Sequence, residues 1–163
     1  MNLTIDIGNT RTKIALFNGE TFVREEKFEN TDAEHLLNVV KEKKAEGLAF
    51  CSVAAENPLL VEALKQLPYP VLEVKGTPPA PVTVAYRTPE TLGADRLAAV
   101  VGAVTLKPQT DLLVVDAGTC ITYDFVDAAG NYLGGNISPG VEMRLEALHN
   151  CTARLPRIEA DGD

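Results

Sequence analysis

The sequence predicts an α/β protein made of two related halves, the second of them incomplete. Three observations carry this reading. Short β-rich runs alternate with amphipathic stretches of helix length, the pattern of a sheet layered by helices. A strand, Asp-x-Gly turn, strand pattern occurs twice, opening at Asp6 and again at Asp116. After the second occurrence the chain ends before the helices and strands that follow the first have recurred.

Taken in order, Asn2–Ile7 alternates apolar and polar residues as a half-buried strand does, and Lys13–Phe17 resumes that character. Gly8-Asn9-Thr10-Arg11 lies between them as a turn. From Thr31 to Gly47, Leu36, Leu37, Val39 and Val40 fall on one face among acids and lysines; Thr31 and Asp32 are opening signals and Gly47 a stop. Leu48–Val53 reads as a buried strand, Asn57–Gln66 as a second helix and Val71–Val74 as a short strand. Gly76–Pro81 contains TPPAP and reads as a semi-rigid loop. Leu92–Leu106 is a third helix, small and apolar in its second half. Leu112–Asp116 is then a strand, Ile121–Val126 its return, Asp127–Asn131 a turn, Tyr132–Ile137 a further strand and Pro139–His149 a helix. The two motifs lie too far apart for a solenoid repeat but suit a duplicated pair of domains. The border is placed near Lys107–Thr110, giving halves 1–108 and 109–163. An exposed apolar patch is expected where the second half lacks partners.

Composition narrows the function. With 163 residues, 45% hydrophobic and 23% charged, the chain has the balance of a folded globular protein. A formal net charge of −8 argues against general nucleic-acid binding, which depends on Lys and Arg displacing counterions. The start, MNLTIDIGNT, has no basic region ahead of an apolar run, and no segment approaches the ~20 apolar residues that cross a bilayer. No membrane association is expected, and the expected location is cytoplasmic. Cys51, Cys120 and Cys151 lack a C-x-x-C spacing, so neither a disulfide framework nor a zinc site is indicated. His35 and His149 read as surface residues, and Lys41, Lys43 and Lys44, interleaved with Glu42 and Glu46, as a solvated face.

The chemistry lies in the turns. In Asp6-Ile7-Gly8-Asn9-Thr10, Gly8 lets backbone approach a ligand, Asn9 and Thr10 supply neutral donors, and successive loop amides can cradle an anion. Asp6 would repel a phosphate directly but attracts one through hydrated Mg²⁺, and Lys13 adds a positive charge. Alone, the motif reads equally well as an ordinary hairpin turn. A second Asp-x-Gly-Thr, Asp116–Thr119, favours the phosphate reading, because phosphoryl transfer needs groups around both the β- and γ-phosphates. Gly93-Ala94-Asp95-Arg96 opens a helix: an Asp there can act as general base toward a hydroxyl while an Arg clamps an anionic group, or the two can form a surface ion pair. Gly134–Gly140, GGNISPG, reads as a structural strand-to-helix turn.

Paired hairpins of this kind resemble the ribonuclease-H-like fold shared by sugar kinases, actin and heat-shock ATPases. The strings DIGNT, YRTPETLGADR, DAGTC and GGNISPG, in that order, resemble type III pantothenate kinases over nearly the whole chain. The resemblance implies two ribonuclease-H-like domains (actin/hexokinase-type ATPase), the second truncated, and ATP-dependent phosphorylation of pantothenate, the first step of coenzyme A biosynthesis. It implies Asp95 as proton acceptor; Tyr86, Gly93, Ala94, Asp95 and Arg96 as pantothenate-binding; and Asp6, Ile7, Gly8, Asn9, Thr10, Arg11, Thr12, Lys13 and Thr119 as ATP-binding. It further implies Asp116 as ligand of a monovalent cation, K⁺ or NH₄⁺, alongside Mg²⁺, and a homodimer. A non-catalytic nucleotide-binding regulatory module, a nucleotide hydrolase or another small-metabolite kinase of the same fold are the alternatives. The GADR string speaks for an acceptor site, which a scaffold or simple ATPase does not need.

Overall fold

A computed structural model describes residues 1–29, 33–53, 58–75 and 81–160. Thr31, Asp32 and Asn57, read as helix openings, and nearly all of the Gly76–Pro81 loop lie outside the described residues. The chain forms two compact units, Met1–Pro78 with Gly93–Asp95, and Pro79–Leu92 with Arg96–Asp163.

The first unit carries a five-stranded sheet. Its strands are β1 (Asn2–Ile7), β2 (Arg11–Asn18), β3 (Thr21–Glu29), β4 (Gly47–Ser52) and β5 (Val71–Glu73), in the order β3-β2-β1-β4-β5. β1, β2 and β3 form an antiparallel meander, and β4 and β5 continue it in parallel. That order is ribonuclease-H-like. Parallel strands need crossovers, and helices α1 (Ala33–Glu42) and α2 (Pro58–Lys65) lie in the connections to β4 and β5. Period-two alternation sends Leu3, Ile5 and Ile7 of β1, Ile14 and Leu16 of β2, and Leu48 and Phe50 of β4 to one face. Leu36 and Val40 of α1 and Leu60 and Leu64 of α2 close over them as a single core. The opposite face of β1 and β2 presents Asp6 and Lys13, which stand directly across from each other in register.

β3 is an element the sequence reading lacks. Five of its nine residues are charged, it lies at the sheet edge, and none of them is buried, so the apolar alternation that marks a strand is missing. Its signal was Asn18-Gly19, a turn pair ahead of a strand run. α1 also stops earlier than its periodicity suggests: Lys44 takes a left-handed φ of 47°, and Gly47 begins β4 instead of ending the helix.

The second unit holds a four-stranded sheet of β6 (Thr83–Val84), β7 (Leu112–Ala117), β8 (Cys120–Val126) and β9 (Asn131–Pro139), ordered β6-β9-β8-β7. A 3-10 turn at Pro89–Thr91 leads to α3 (Ala94–Leu106), and α4 (Val141–Asn150) follows β9. β6 and the 3-10 turn are too short to leave a periodic signal. Leu97 and Val100 of α3 bury with Val82, Leu92, Val126 and Tyr132, and Leu112 and Val114 pack against them. Sequence repetition and compactness thus mark different borders: α3 precedes the Lys107–Thr110 border, yet its core residues belong to the second cluster. On the other face of this sheet Leu113, Val115 and Phe125 are exposed. No helix among the described residues is long and apolar enough to cross a membrane.

Candidate active site

The first Asp-x-Gly turn is a tight hairpin. The Gly8 amide donates to the Arg11 carbonyl at 3.0 Å, closing the end of the β1–β2 ladder, while Asn9 and Thr10 stand exposed at its tip. Arg11, read as part of the turn, is the first residue of β2. Strand alternation sorts the eight positions of this hairpin that are assigned to ATP. Ile7 and Thr12 are 8% and 3% exposed and point toward the core side, so only their backbone can meet a ligand. Asp6 and Lys13 point the other way, with Lys13 Nζ 3.8 Å from Asp6 Oδ2. Such a half-exposed pair contributes little stability and leaves both groups within reach of a phosphate.

Cys51 of β4 lies beside Asp6 in parallel register and directs its thiol at Asp6 Oδ1, 3.6 Å away. Burial first, then the charge of Asp6 and its hydrogen bond, push the Cys51 thiol up to about 12. The Asp95 carboxylate adds to the same rise, opposed by Lys13. Asp6, Lys13 and Asp95 therefore share one electrostatic neighbourhood within the first unit, although Asp95 is far along the chain from the other two. Gly93 and Ala94 lead into Asp95, which sits in the first turn of α3.

Arg96, next in the chain, is no surface ion-pair residue. It is 7% exposed, and its Nε donates to Asp124 Oδ1 at 3.0 Å while Nη2 donates to the same carboxylate. Asp124, in β8, is 1% exposed and also accepts from the Tyr132 hydroxyl of β9. Burial works against the Arg96 charge, but its hydrogen bonds and attraction to Asp124 outweigh that and raise its pKa. Burial also raises the Tyr132 hydroxyl, reinforced by Asp124. Tyr86 completes the group: its ring centre lies 5.8 Å from the guanidinium carbon and stacks near-parallel to Tyr132 at 6.5 Å. Asp124 and Tyr132 escaped the sequence reading. The available signal was an acid on the inward face of β8, in phase with buried Val126, where a charge demands a partner.

The second Asp-x-Gly turn is one residue shorter than the first: Gly118 and Thr119 alone separate β7 from β8. The Gly118 amide donates to the Cys120 carbonyl at 2.9 Å. Asp116 and Thr119 are exposed at this end of the hairpin. The Gly140 amide, at the start of α4, donates to the Thr119 carbonyl at 2.9 Å, so the GGNISPG string fastens the second loop to the following helix.

Among the described residues no group of three or more His, Cys, Asp or Glu gathers as an all-protein metal cage. Mg²⁺ bound with a nucleotide needs only one or two carboxylates besides water and phosphate oxygens, and a half-exposed Asp6 fits that demand. Asp116 offers the oxygen anion that a hard monovalent cation takes.

A ribonuclease-H-like sheet with an Asp-x-Gly hairpin, and a second such hairpin on a separate sheet, define the architectural class of the sugar kinases, actin and heat-shock ATPases. The family model for type III pantothenate kinase matches residues 2–162. A type III pantothenate kinase of Bacteroides fragilis is 48% identical over 162 residues, covering 99% of this chain and 67% of that protein. One of Phocaeicola vulgatus is 45% identical over 163 residues, 100% of this chain and 67% of that protein. Among solved structures, a Campylobacter jejuni protein described as a Baf family transcriptional activator shares the fold, with a TM-score of 0.59 at 24% identity over 99% of this chain and 67% of its own. The chain belongs to the type III pantothenate kinase family and spans about two thirds of the length of these relatives.

Proposed function

We propose that this protein transfers the γ-phosphoryl group of ATP to the primary hydroxyl of pantothenate, opening coenzyme A biosynthesis. Family membership supports the reaction. The observation that carries the residue assignment is the shared neighbourhood of Asp6, Lys13 and Asp95, which links a phosphate-loop carboxylate to the assigned base.

In this reading Asp95 accepts the hydroxyl proton as the pantothenate oxygen bonds to the γ-phosphorus, and the bond from the γ-phosphorus to the bridging oxygen breaks to release ADP. Arg96 and Tyr86 hold the acceptor, the guanidinium directed at the pantothenate carboxylate. Backbone amides of Gly8, Asn9 and Thr10, with Lys13, bind phosphate oxygens on one hairpin, and Thr119 does so on the other. Asp6 would hold Mg²⁺, and Asp116 a K⁺ or NH₄⁺ ion. The magnesium ion, when bound, would neutralise phosphate charge. The reading also takes the protein as a cytoplasmic homodimer, which sedimentation of the purified protein would check.

The test is ADP release from Mg²⁺-ATP with K⁺ present, with and without pantothenate, by this chain and by the chain extended to the length of its relatives. Release stimulated by pantothenate is expected from the extended chain. Release that ignores pantothenate, or none from either, overturns the proposal.

A further inference from the structure

Asp124 sits in the middle of β8 with its carboxylate out of contact with solvent. It accepts from Nε and Nη2 of Arg96 and from the Tyr132 hydroxyl, so both carboxylate oxygens face donors. A buried ion pair of this kind seldom adds net stability over an apolar core of similar volume. What it does secure is direction. A guanidinium is a flat fork of five N–H donors, and a carboxylate on its Nε/Nη2 edge fixes the plane and the rotation of the whole group.

The surroundings are cut to this arrangement. A Cβ on Gly135 would stand 2.7 Å from Asp124 Oδ1 and collide with the Tyr123 carbonyl. One on Gly134, where φ is +108°, would stand 2.8 Å from the Tyr86 ring. The adjacent glycines of β9 thus leave room for the residue that holds Arg96 and for the aromatic ring beside it. Tyr132 supports both, through its hydroxyl on Asp124 and its ring against Tyr86.

We propose that Asp124, held by Tyr132, is a positioning residue that fixes the Arg96 guanidinium for the carboxylate of the acceptor, with Gly134 and Gly135 providing the space. The inference rests on the pantothenate kinase reading and adds to it two residues and a role for the glycine pair. A pre-oriented fork meets a planar carboxylate with less ordering cost than a mobile one.

The experiment compares wild type, Asp124→Asn and Tyr132→Phe in the extended chain, measuring KM for pantothenate, KM for ATP, kcat and melting temperature. Asp124→Asn is expected to raise the pantothenate KM by about 10- to 100-fold, the scale of a displaced positioning group, with the ATP KM unchanged. Tyr132→Phe keeps the ion pair and the ring and should raise the same constant to a smaller extent, so the test stands even where Asp124→Asn does not fold. A pantothenate KM unchanged in Tyr132→Phe, with any loss confined to melting temperature or kcat, overturns the positioning role. Wild type without pantothenate dependence overturns the kinase reading instead, and this assignment with it.

Discussion

Cys51 offers a test of the first loop that needs no turnover. Its thiol is 7% exposed and held at about 12, against an ordinary value of 9.0. Only the thiolate attacks an alkylating agent. At pH 8 the thiolate fraction is about one in ten for a thiol at the ordinary value and about one in ten thousand for Cys51, so native Cys51 should alkylate roughly a thousandfold more slowly. Iodoacetamide labelling with peptide mass spectrometry reads all three cysteines at once, and exposed Cys120 and Cys151 should be consumed first. Asp6→Asn removes the charge that ranks next after burial, so labelling of Cys51 should quicken yet still trail the exposed pair. The same shift has a pH signature. The folded state keeps the thiol protonated above pH 9 while the unfolded chain ionises, so this contribution is present below pH 9 and is lost as pH rises toward 12, by about 1.4 kcal/mol per unit. Equal labelling of all three thiols in the folded protein, or no effect of Asp6→Asn, would refute the placement of Cys51 against Asp6.

Replacing Asp95 by Asn should lower kcat by about 10²–10⁴-fold in the pantothenate-dependent assay, the usual loss for a general base, and retained turnover would remove Asp95 from that role. Asp124→Ala strands the Arg96 charge in a buried site and should cost about 3–5 kcal/mol by urea unfolding, whereas the double change with Arg96→Met should recover much of it. Leu64→Ala, at a fully buried position of α2, should cost about 2–5 kcal/mol by the same measurement. Lys13→Ala should weaken ATP binding, measured by calorimetry, while changing melting temperature little, because its ion pair with Asp6 is half exposed.

Much of the architecture was legible because it rests on period. Strands β1, β4 and β8 and helices α2 and α3 follow from alternating or helical apolar spacing, and the two Asp-x-Gly turns stand between strands as read. What period could not reveal was β3, whose solvated edge position removes the alternation, and β6, two residues long. At the candidate site, Asp6, Lys13 and Asp95 were named from their motifs. Their link to Cys51 and the pairing of Arg96 with Asp124 depend on register and packing between segments distant in the chain, which no local pattern encodes. Gly134–Gly140 reads from sequence as a strand-to-helix turn, but the residues through Pro139 belong to β9 and only Gly140 makes the turn; the Gly134 and Gly135 backbones leave room for Tyr86 and Asp124.

The repeat itself hides a difference. Counted back from each Asp, Leu3 matches Leu113 and Ile5 matches Val115, the same positions of the same motif. Leu3 and Ile5 are each 2% exposed beneath α1 and α2, while Leu113 and Val115 are 64% and 52% exposed. In the first unit the helices cover the face that Asp6 avoids; in the second, α3 packs on Leu112 and Val114, which share a face with Asp116. Aligned residues therefore meet different surroundings in this chain. A lysine at Leu3 or Ile5 would strand a charge beneath α1 and α2, whereas Leu113 and Val115 form with Phe125 the apolar patch expected where the second half lacks partners, so the two copies turn opposite faces of one motif toward their own helices.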